Sequence, residues 1–190
     1  YRLEYHGFPG TRSAEMSVEM TYAPPGRKDF VVLSQTGSKL ILDRVFKRIL
    51  ESEKEAFDAE NQKRIALNRD NYLFTLVDFE SAPEGDRYVF TVEPKKPSKF
   101  LYRGKIWVDA DDFAVVRILA EPAKSPSFWV KDTKIEQLYG KVDRFWLPVS
   151  NHSVSDVRLG GHAVFNIEYK DYQMAPPALA GNVPRGTTPR

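Results

Sequence analysis

Cysteine is absent from this chain of 190 residues. Without thiols, the protein can form no disulfide bond, no thiolate metal site and no cysteine nucleophile. The absence does not fix the compartment, because a periplasmic protein can lack cysteine as easily as a cytosolic one. The length is sufficient for one substantial core, and it predicts a single domain.

A strong charge of either sign is also missing. The chain has 28 lysine and arginine residues against 26 aspartate and glutamate residues, a formal net charge of +2. Because a nucleic-acid surface needs a clustered basic excess, we expect no nucleic-acid partner. No apolar run reaches the length of about 18 residues that a spanning helix needs, so any membrane contact is expected to be transient.

Metal-ligating residues are few and scattered. The three histidines, His6, His152 and His162, fall in different predicted strands. A metal site needs three or four convergent ligands, and His152, Asp156 and His162 would converge only if their strands paired in one particular register. Solvated or hydrogen-bonded surface histidines are the simpler interpretation, so the sequence predicts no metal and no cofactor.

No enzymatic constellation is visible in the sequence. The chain lacks the Gly-x-Ser-x-Gly elbow of serine hydrolases and any glycine-rich phosphate loop. The acidic residues Asp109, Asp111 and Asp112 could bind calcium, but they lack the spacing of an EF-hand loop, and a hairpin turn is favoured. We therefore expect a protein without catalytic residues.

Alternating apolar residues and turn signals predict a protein made mainly of strands. The clearest case is Arg87–Glu93, in which Tyr88, Phe90 and Val92 share one face. Proline, glycine and acidic residues separate the strands, as in a meander. The predicted strands are Tyr1–Phe8, Ser13–Tyr22, Arg27–Gln35, Tyr72–Glu80, Arg87–Glu93, Phe100–Asp109, Phe113–Glu121, Ser127–Leu138, Val142–Val157 and His162–Tyr172.

One helical insertion interrupts the strands at about residues 39–67. From Lys39 to Phe57 the apolar residues recur at helical spacing, and Asp58–Ala66 continues the helix or forms a second one. The predicted fold class is mainly β with an α insertion: a curved antiparallel sheet forming an open half-barrel with a helical lid. Residues 1–174 form this domain, and the proline- and glycine-rich tail 175–190 is predicted to be disordered or strap-like.

Strand alternation places many apolar side chains on one face of the sheet, more than one helix can cover. We expect the uncovered part to be a hydrophobic concavity that binds a lipid tail, with lid residues exchanging against the acyl chain. The predicted ligand-contacting residues are Leu40, Ile41 and Phe46 of the lid, and Tyr88, Phe90, Ile106, Val108, Val116, Ile118, Phe145, Leu147 and Phe165 of the sheet.

Four segments resemble a known family. Residues 87–96, 102–111 (Tyr-Arg-Gly-Lys-Ile-Trp-Val-Asp-Ala-Asp), 114–117 (Ala-Val-Val-Arg) and 160–172 are similar to the outer-membrane lipoprotein carrier family, with its LolA/LolB-like fold, and specifically to outer membrane lipoprotein-sorting relatives. The resemblance implies a periplasmic half-barrel whose concave apolar face holds acyl chains of a lipid or lipoprotein. Since the chain begins at Tyr1 rather than at methionine, we expect a signal peptide to be missing from this sequence.

Two functions therefore remain open from the sequence. The first is a monomeric, non-enzymatic periplasmic carrier of lipid or lipoprotein acyl chains. The second is a protein-interaction or envelope-sensing module on the same scaffold, which binds a partner peptide or a lipoprotein through its groove or a strand edge. An enzyme is disfavoured, because no acid, base and nucleophile are found together.

Overall fold

The computed structural model describes residues 1–23, 27–125, 127–128, 130–158 and 160–174. The predicted tail 175–190 lies outside the described residues. Ten strands form one antiparallel sheet in the order β3-β2-β1-β10-β9-β8-β7-β6-β5-β4. The strands are β1 (Arg2–Gly7), β2 (Gly10–Ala23), β3 (Arg27–Gly37), β4 (Tyr72–Glu80), β5 (Arg87–Pro94), β6 (Tyr102–Asp109), β7 (Val115–Pro122), β8 (Val130–Val142), β9 (Phe145–Val157) and β10 (His162–Glu168).

The sheet is open, and its two edge strands are consecutive in the chain. Hairpins link β1 to β3 and β4 to β10, and β10 joins the two halves by pairing with β1. The edges are therefore β3 and β4, which only the helical insertion connects. The insertion must cross one whole face of the sheet. We call the face that it covers the inner face, and the opposite one the outer face. The predicted fold class is confirmed.

The helical insertion has three parts. A π-helical turn (Ile41–Phe46) leads into helix α1 (Lys47–Ala56), and helix α2 (Ala59–Ile65) follows after a short break. Hydrogen bonds from residue i to i+5 bring residues five apart onto the same side of a π-helical turn. Ile41 and Phe46 are five apart, and both are buried against the sheet, whereas Leu40 is 50% exposed. The predicted helix is confirmed, and the π-helical turn selects which of its apolar residues face the sheet.

Two carboxylates of α1 show how strongly the sheet curves. Residues two apart in an α-helix point about 200° apart, to opposite sides. Glu53 contacts Lys28 on β3, with 2.5 Å between Nζ and Oε2, while Glu55 contacts Lys99 between β5 and β6 at 3.1 Å. Since β3 and β5 lie near opposite edges, the sheet curls until both sides lie within reach of one helix. This is an open half-barrel with a helix across it.

The inner face carries two separate apolar clusters. The first cluster joins the π-helical turn to strands β1 and β2, and Phe46 is completely buried in it between Tyr1 and Phe165, with ring centroids at 6.3 and 6.1 Å. Its buried members are Leu3, Ala14, Met16, Ile41 and Phe46. The second cluster lies on β4 to β7, where Ile65 and Leu67 of the insertion pack against it. Its buried members are Tyr72, Val92, Leu101, Ile106, Ile118 and Ala120.

A β-bulge corrects one predicted face. The register between β6 and β7 shifts between Trp107 and Val108, so that Val108 pairs with Val115. The extra residue turns Val116 away from Ile118, and it packs instead in a third cluster with Val89 and Trp107. The expectation that Val116 shares the face of Ile118 is therefore wrong.

The acidic segment after β6 is a turn, as predicted. The Asp109 carboxylate accepts hydrogen bonds from the backbone N–H groups of Asp111 and Asp112, at 3.1 and 2.8 Å. Asp112 in turn accepts hydrogen bonds from Lys141 and Trp146 on the β8–β9 hairpin. These contacts tie the turn to the neighbouring hairpin, and the described residues contain no group of three or more ligands that could hold a metal ion.

Gly104 permits the close approach of β6 and β7, and its replacement tests this packing. Its φ is +150°, and a Cβ there would overlap the Leu119 carbonyl oxygen and lie 2.6 Å from the Ala120 Cα. Gly10 has a similar φ of +154° with nothing within 4 Å, which makes it a matched control. We expect Gly104→Ala to lower the free energy of unfolding by at least about 2 kcal/mol more than Gly10→Ala does. Equal losses in urea denaturation would show that the contact with β7 does not matter.

Candidate functional site

The inner face between the two apolar clusters is the candidate site. Strands β8, β9 and β10 cross this interval beneath the insertion. Helix α1 spans it with an amphipathic sequence, yet none of its residues is buried. Ile49 and Leu50 near the start of α1 pack against the first cluster, and the rest of the helix lies over the interval without a fully buried side chain. We call this interval the inner chamber.

Polar side chains form the floor of the inner chamber. Gln137 on β8 pairs with Ile118 across the sheet and therefore points to the inner face. Asn151 on β9 donates to the Gln137 side-chain oxygen at 2.9 Å, and Gln137 donates to the Ser150 carbonyl at 2.9 Å. The expected continuous apolar face is thus wrong, because a hydrogen-bonded polar strip divides it.

Six tyrosines, in or beside the two apolar clusters or after β10, are buried enough for their pKa to be raised. Burial is the largest cause that raises the pKa of each, and neighbouring tyrosines or Glu53 raise it further for most of them. Tyr102 and Tyr139 both pack against the second cluster, and the Glu53 carboxylate contributes to the raised pKa of Tyr169. The six tyrosines with a raised pKa are Tyr1, Tyr72, Tyr102, Tyr139, Tyr169 and Tyr172.

The anchors of α1 differ on its two sides. On the β3 side, the Lys28 side chain is only 7% exposed, and Glu53 also accepts a hydrogen bond from the Tyr1 hydroxyl at 2.9 Å. Lys28 further lies over the ring of Phe57, 4.4 Å from its centroid. On the other side, Glu55 and Lys99 are both about half exposed. Water screens the second pair, so the α1 edge near Lys99 is the weaker attachment.

The structure brings seven of the twelve predicted ligand-contacting residues into the two clusters that flank the chamber. Phe90, Ile106, Val108 and Ile118 belong to the second cluster, and Ile41, Phe46 and Phe165 to the first. Among the described contacts, the remaining five join neither cluster. These are Val116, which packs near the outer face, and Leu40, Tyr88, Phe145 and Leu147.

Exposure or position in the strand explains why the other four predicted residues lie outside the clusters. Leu40 precedes the π-helical turn and stays half exposed. Phe145 lies at the end of the β8–β9 hairpin, where it is 43% exposed beneath Arg144. Leu147 pairs with Gly140 in the same hairpin, and Tyr88 contacts Phe79 on edge strand β4. Local alternation assigns these residues a face, but it does not show how far along the strand the core extends.

Sequence reasoning missed the packing of Tyr102 and Tyr139 against the second cluster and the pair of Glu53 with Lys28. Tyr102 alternates with Ile106, four residues later on the same face, so that period 2 alone could have found it. Tyr139 likewise alternates with Gln137 on β8. No local pattern indicates that Glu53 meets Lys28, because this contact depends on the curvature of the whole sheet.

The outer face carries a groove that the sequence did not predict. It has a volume of about 800 Å³ and crosses β4 to β8. Leu73 and Leu119 are exposed in it beside Lys105, and Glu121 binds both Arg103 and Lys134, at 2.8 and 2.9 Å. Because its charges largely neutralise one another, the groove selects for no ligand of one charge.

Comparisons with known proteins find distant similarity to solved structures. No protein-family model and no curated protein matches the chain. One solved structure, an outer membrane lipoprotein-sorting protein domain from Vibrio parahaemolyticus, aligns with 10% identity and a TM-score of 0.41 over 90% of this chain and 84% of its own. A DUF1329 family protein from Desulfovibrio piger aligns with 16% identity and a TM-score of 0.35 over 86% and 79%. Likeness at this level of identity and TM-score does not establish what the chain binds.

Raised tyrosine pKa values predict the response of the protein to alkali. A group whose pKa is higher in the folded state stabilises the fold below its unfolded pKa, which is about 10 for tyrosine, and this stabilisation is lost as the pH rises above it. We therefore expect the free energy of unfolding to fall above about pH 10, with these six tyrosines ionising together with unfolding. Absorbance at the phenolate band and circular dichroism would follow both events. Six phenols that ionise near pH 10 while the fold stays intact would contradict the burial of these tyrosines.

Proposed function

We propose that the protein is a non-enzymatic carrier that binds acyl chains of a lipid or lipoprotein in the inner chamber, beneath α1. The observation that supports this proposal best is the difference in packing along the insertion. The two ends of the insertion pack into the apolar clusters, and α1 joins the first cluster through Ile49 and Leu50, while no side chain of α1 is fully buried. Apolar flanks can hold acyl chains, each buried methylene contributing about 0.8 kcal/mol.

The proposed binding step is the separation of α1 from the β5–β6 side of the sheet. The exposed pair of Glu55 and Lys99 would break first, because exposed ion pairs contribute only about 0–1 kcal/mol. Phe46, by contrast, is core, and its removal would cost about 3–5 kcal/mol. Phe46→Asp would therefore change the stability of the fold, so the separation of α1 from the sheet is better tested by changing Glu55.

A periplasmic location accompanies this proposal, since an acyl carrier of the resembled family works between two membranes. The described residues contain no helix with the length and apolarity that crossing a bilayer requires. Contact with a membrane would then be transient and would serve loading and release. That loading precedes release follows from the carrier function and is part of the proposal.

A cross-link between α1 and the sheet tests the proposal directly, because the natural chain has no cysteine. In the variant Glu55→Cys with Lys99→Cys, a short bis-maleimide should prevent separation. We expect the cross-linked protein to lose uptake of dioctanoylglycerol at least tenfold in rate, measured by native mass spectrometry. Protein loaded before cross-linking should retain its ligand for longer.

The two single-cysteine variants, treated with the same reagent, are the controls and should load as the unmodified protein does. Unchanged loading of the cross-linked protein would show that ligand does not enter beneath α1. If no sample shows a bound mass, either before or after incubation with dioctanoylglycerol or an acylated peptide, the carrier function itself is wrong.

The second candidate function is a protein-interaction module, and edge strand β3 favours it. Residues 30–37 of this strand carry no charge, and Val31, Val32 and Leu33 are 61%, 47% and 61% exposed. An uncharged, exposed edge can pair with an added strand of a partner. Absence of lipid binding in the experiment above would leave this candidate as the better one.

A further inference from the structure

A second cavity lies where strand β8 begins with a bulge. The register between β8 and β9 shifts between Lys131 and Lys134, and Asp132 within the bulge has a φ of +48°. A bulge turns side chains of its strand into new directions. Here they line a polar pocket of about 220 Å³, and none of its described lining residues belongs to either apolar cluster. We call it the bulge pocket. The charged residues that line it are Arg103, Glu121, Lys131, Asp132 and Arg158.

Positive charge exceeds negative charge in and around the bulge pocket. Each oxygen of the Glu121 carboxylate is bound by a different cation, Oε1 by Arg103 at 2.8 Å and Oε2 by Lys134 at 2.9 Å. Among the described ion pairs, Asp132 contacts only Lys131, at the long distance of 3.9 Å. Three cations therefore face two carboxylates before Arg158 is considered.

Arg158 adds a fourth cation, and no carboxylate neutralises it. In the described part of the chain it forms no ion pair, and its guanidinium lies over the ring of Phe128, 5.0 Å from the centroid. Asp156, which pairs with Lys131 across β8 and β9, neither lines the pocket nor forms an ion pair among the described residues. An anion in the pocket would therefore meet a net positive charge.

The bulge pocket also holds hydrogen-bond donors that suit a tetrahedral anion. Among the described hydrogen bonds, Arg103 uses only its Nε atom for Glu121, so the two terminal nitrogens of its guanidinium remain available. The Thr133 hydroxyl lies 2.9 Å from the Ser155 hydroxyl, and either can donate, so Thr133 can turn its O–H into the pocket. Arginine guanidinium groups match the oxygens of a phosphate in geometry as well as in charge.

The bulge pocket continues into the outer-face groove, because Arg103 and Glu121 line both. Its volume holds a polyatomic ion, since one water molecule needs only about 10–15 Å³ of such space. Leu119 is exposed in the adjoining groove. An organic substituent on the anion can therefore leave the pocket towards the groove.

We propose that the bulge pocket binds a dianionic phosphate group, held by Arg158, Lys131 and the terminal nitrogens of Arg103. The group can be inorganic phosphate or the terminal phosphate of an organic ester. Because the pocket lies outside the inner chamber, the proposal does not depend on the acyl-chain function.

Isothermal titration calorimetry on the unmodified protein tests the site with inorganic phosphate and glycerol 3-phosphate at pH 8, where both are mainly dianionic. We expect saturable binding at low ionic strength, and weaker binding at 0.15 M salt, where the Debye length is about 8 Å. Glycerol, which carries no charge, should not bind. Binding of either phosphate supports the proposal, and binding of neither overturns it.

Variants of the two cations that no close carboxylate holds assign the binding to the pocket. Lys131→Ala combined with Arg158→Ala should weaken phosphate binding at least about tenfold, because two charges and one guanidinium are lost. The matched control, Lys39→Ala combined with Lys96→Ala, removes the same charge at exposed positions outside the pocket and should weaken it less than about twofold. Equal weakening in both double variants would overturn the proposal.

A milder variant keeps the test valid if the pocket double variant misfolds. Arg158→Lys retains the charge but loses the planar fork, so it should still weaken phosphate binding. Unchanged affinity in this variant would contradict the role of the Arg158 guanidinium.

Dihexanoyl phosphatidic acid distinguishes a lipid headgroup from a small phosphate. Binding about tenfold tighter than that of glycerol 3-phosphate, with the difference lost in the Lys131 and Arg158 double variant, assigns the pocket to a lipid headgroup. Affinity equal to that of glycerol 3-phosphate assigns it to a small phosphate, and either result supports the pocket. Loading of dioctanoylglycerol should be the same in this variant as in the unmodified protein, so failure of phosphate binding leaves the carrier function in place.

Discussion

The crossing from β3 to β4 is the constraint on which the rest of the structure depends. These strands are consecutive in the chain but form the two edges of the sheet, so the insertion must traverse the whole inner face. Helix α1 can contact both sides only if the sheet curls around it, as Glu53 and Glu55 show. A twisted sheet of ten strands curls readily, and the crossing fixes which face becomes concave.

The same crossing creates unequal attachments along α1. The pair of Lys28 and Glu53 is largely removed from water, and a buried charge that loses its partner costs about 3–5 kcal/mol. The pair of Glu55 and Lys99 is exposed and contributes about 0–1 kcal/mol. One side of the helix is therefore held much more firmly than the other.

Much of this fold follows from local pattern, because strand alternation and helical spacing depend on neighbouring residues only. All ten strands and the insertion are found near their predicted positions. The wrong predictions have physical causes that the alternation of neighbouring residues does not reveal. The bulge at Trp107 turns Val116 away from its predicted face, and the π-helical turn buries Ile41 rather than Leu40. The pairing of β10 with β1, which joins the two halves of the sheet, connects strands that are far apart in the chain, and neither strand alone indicates it.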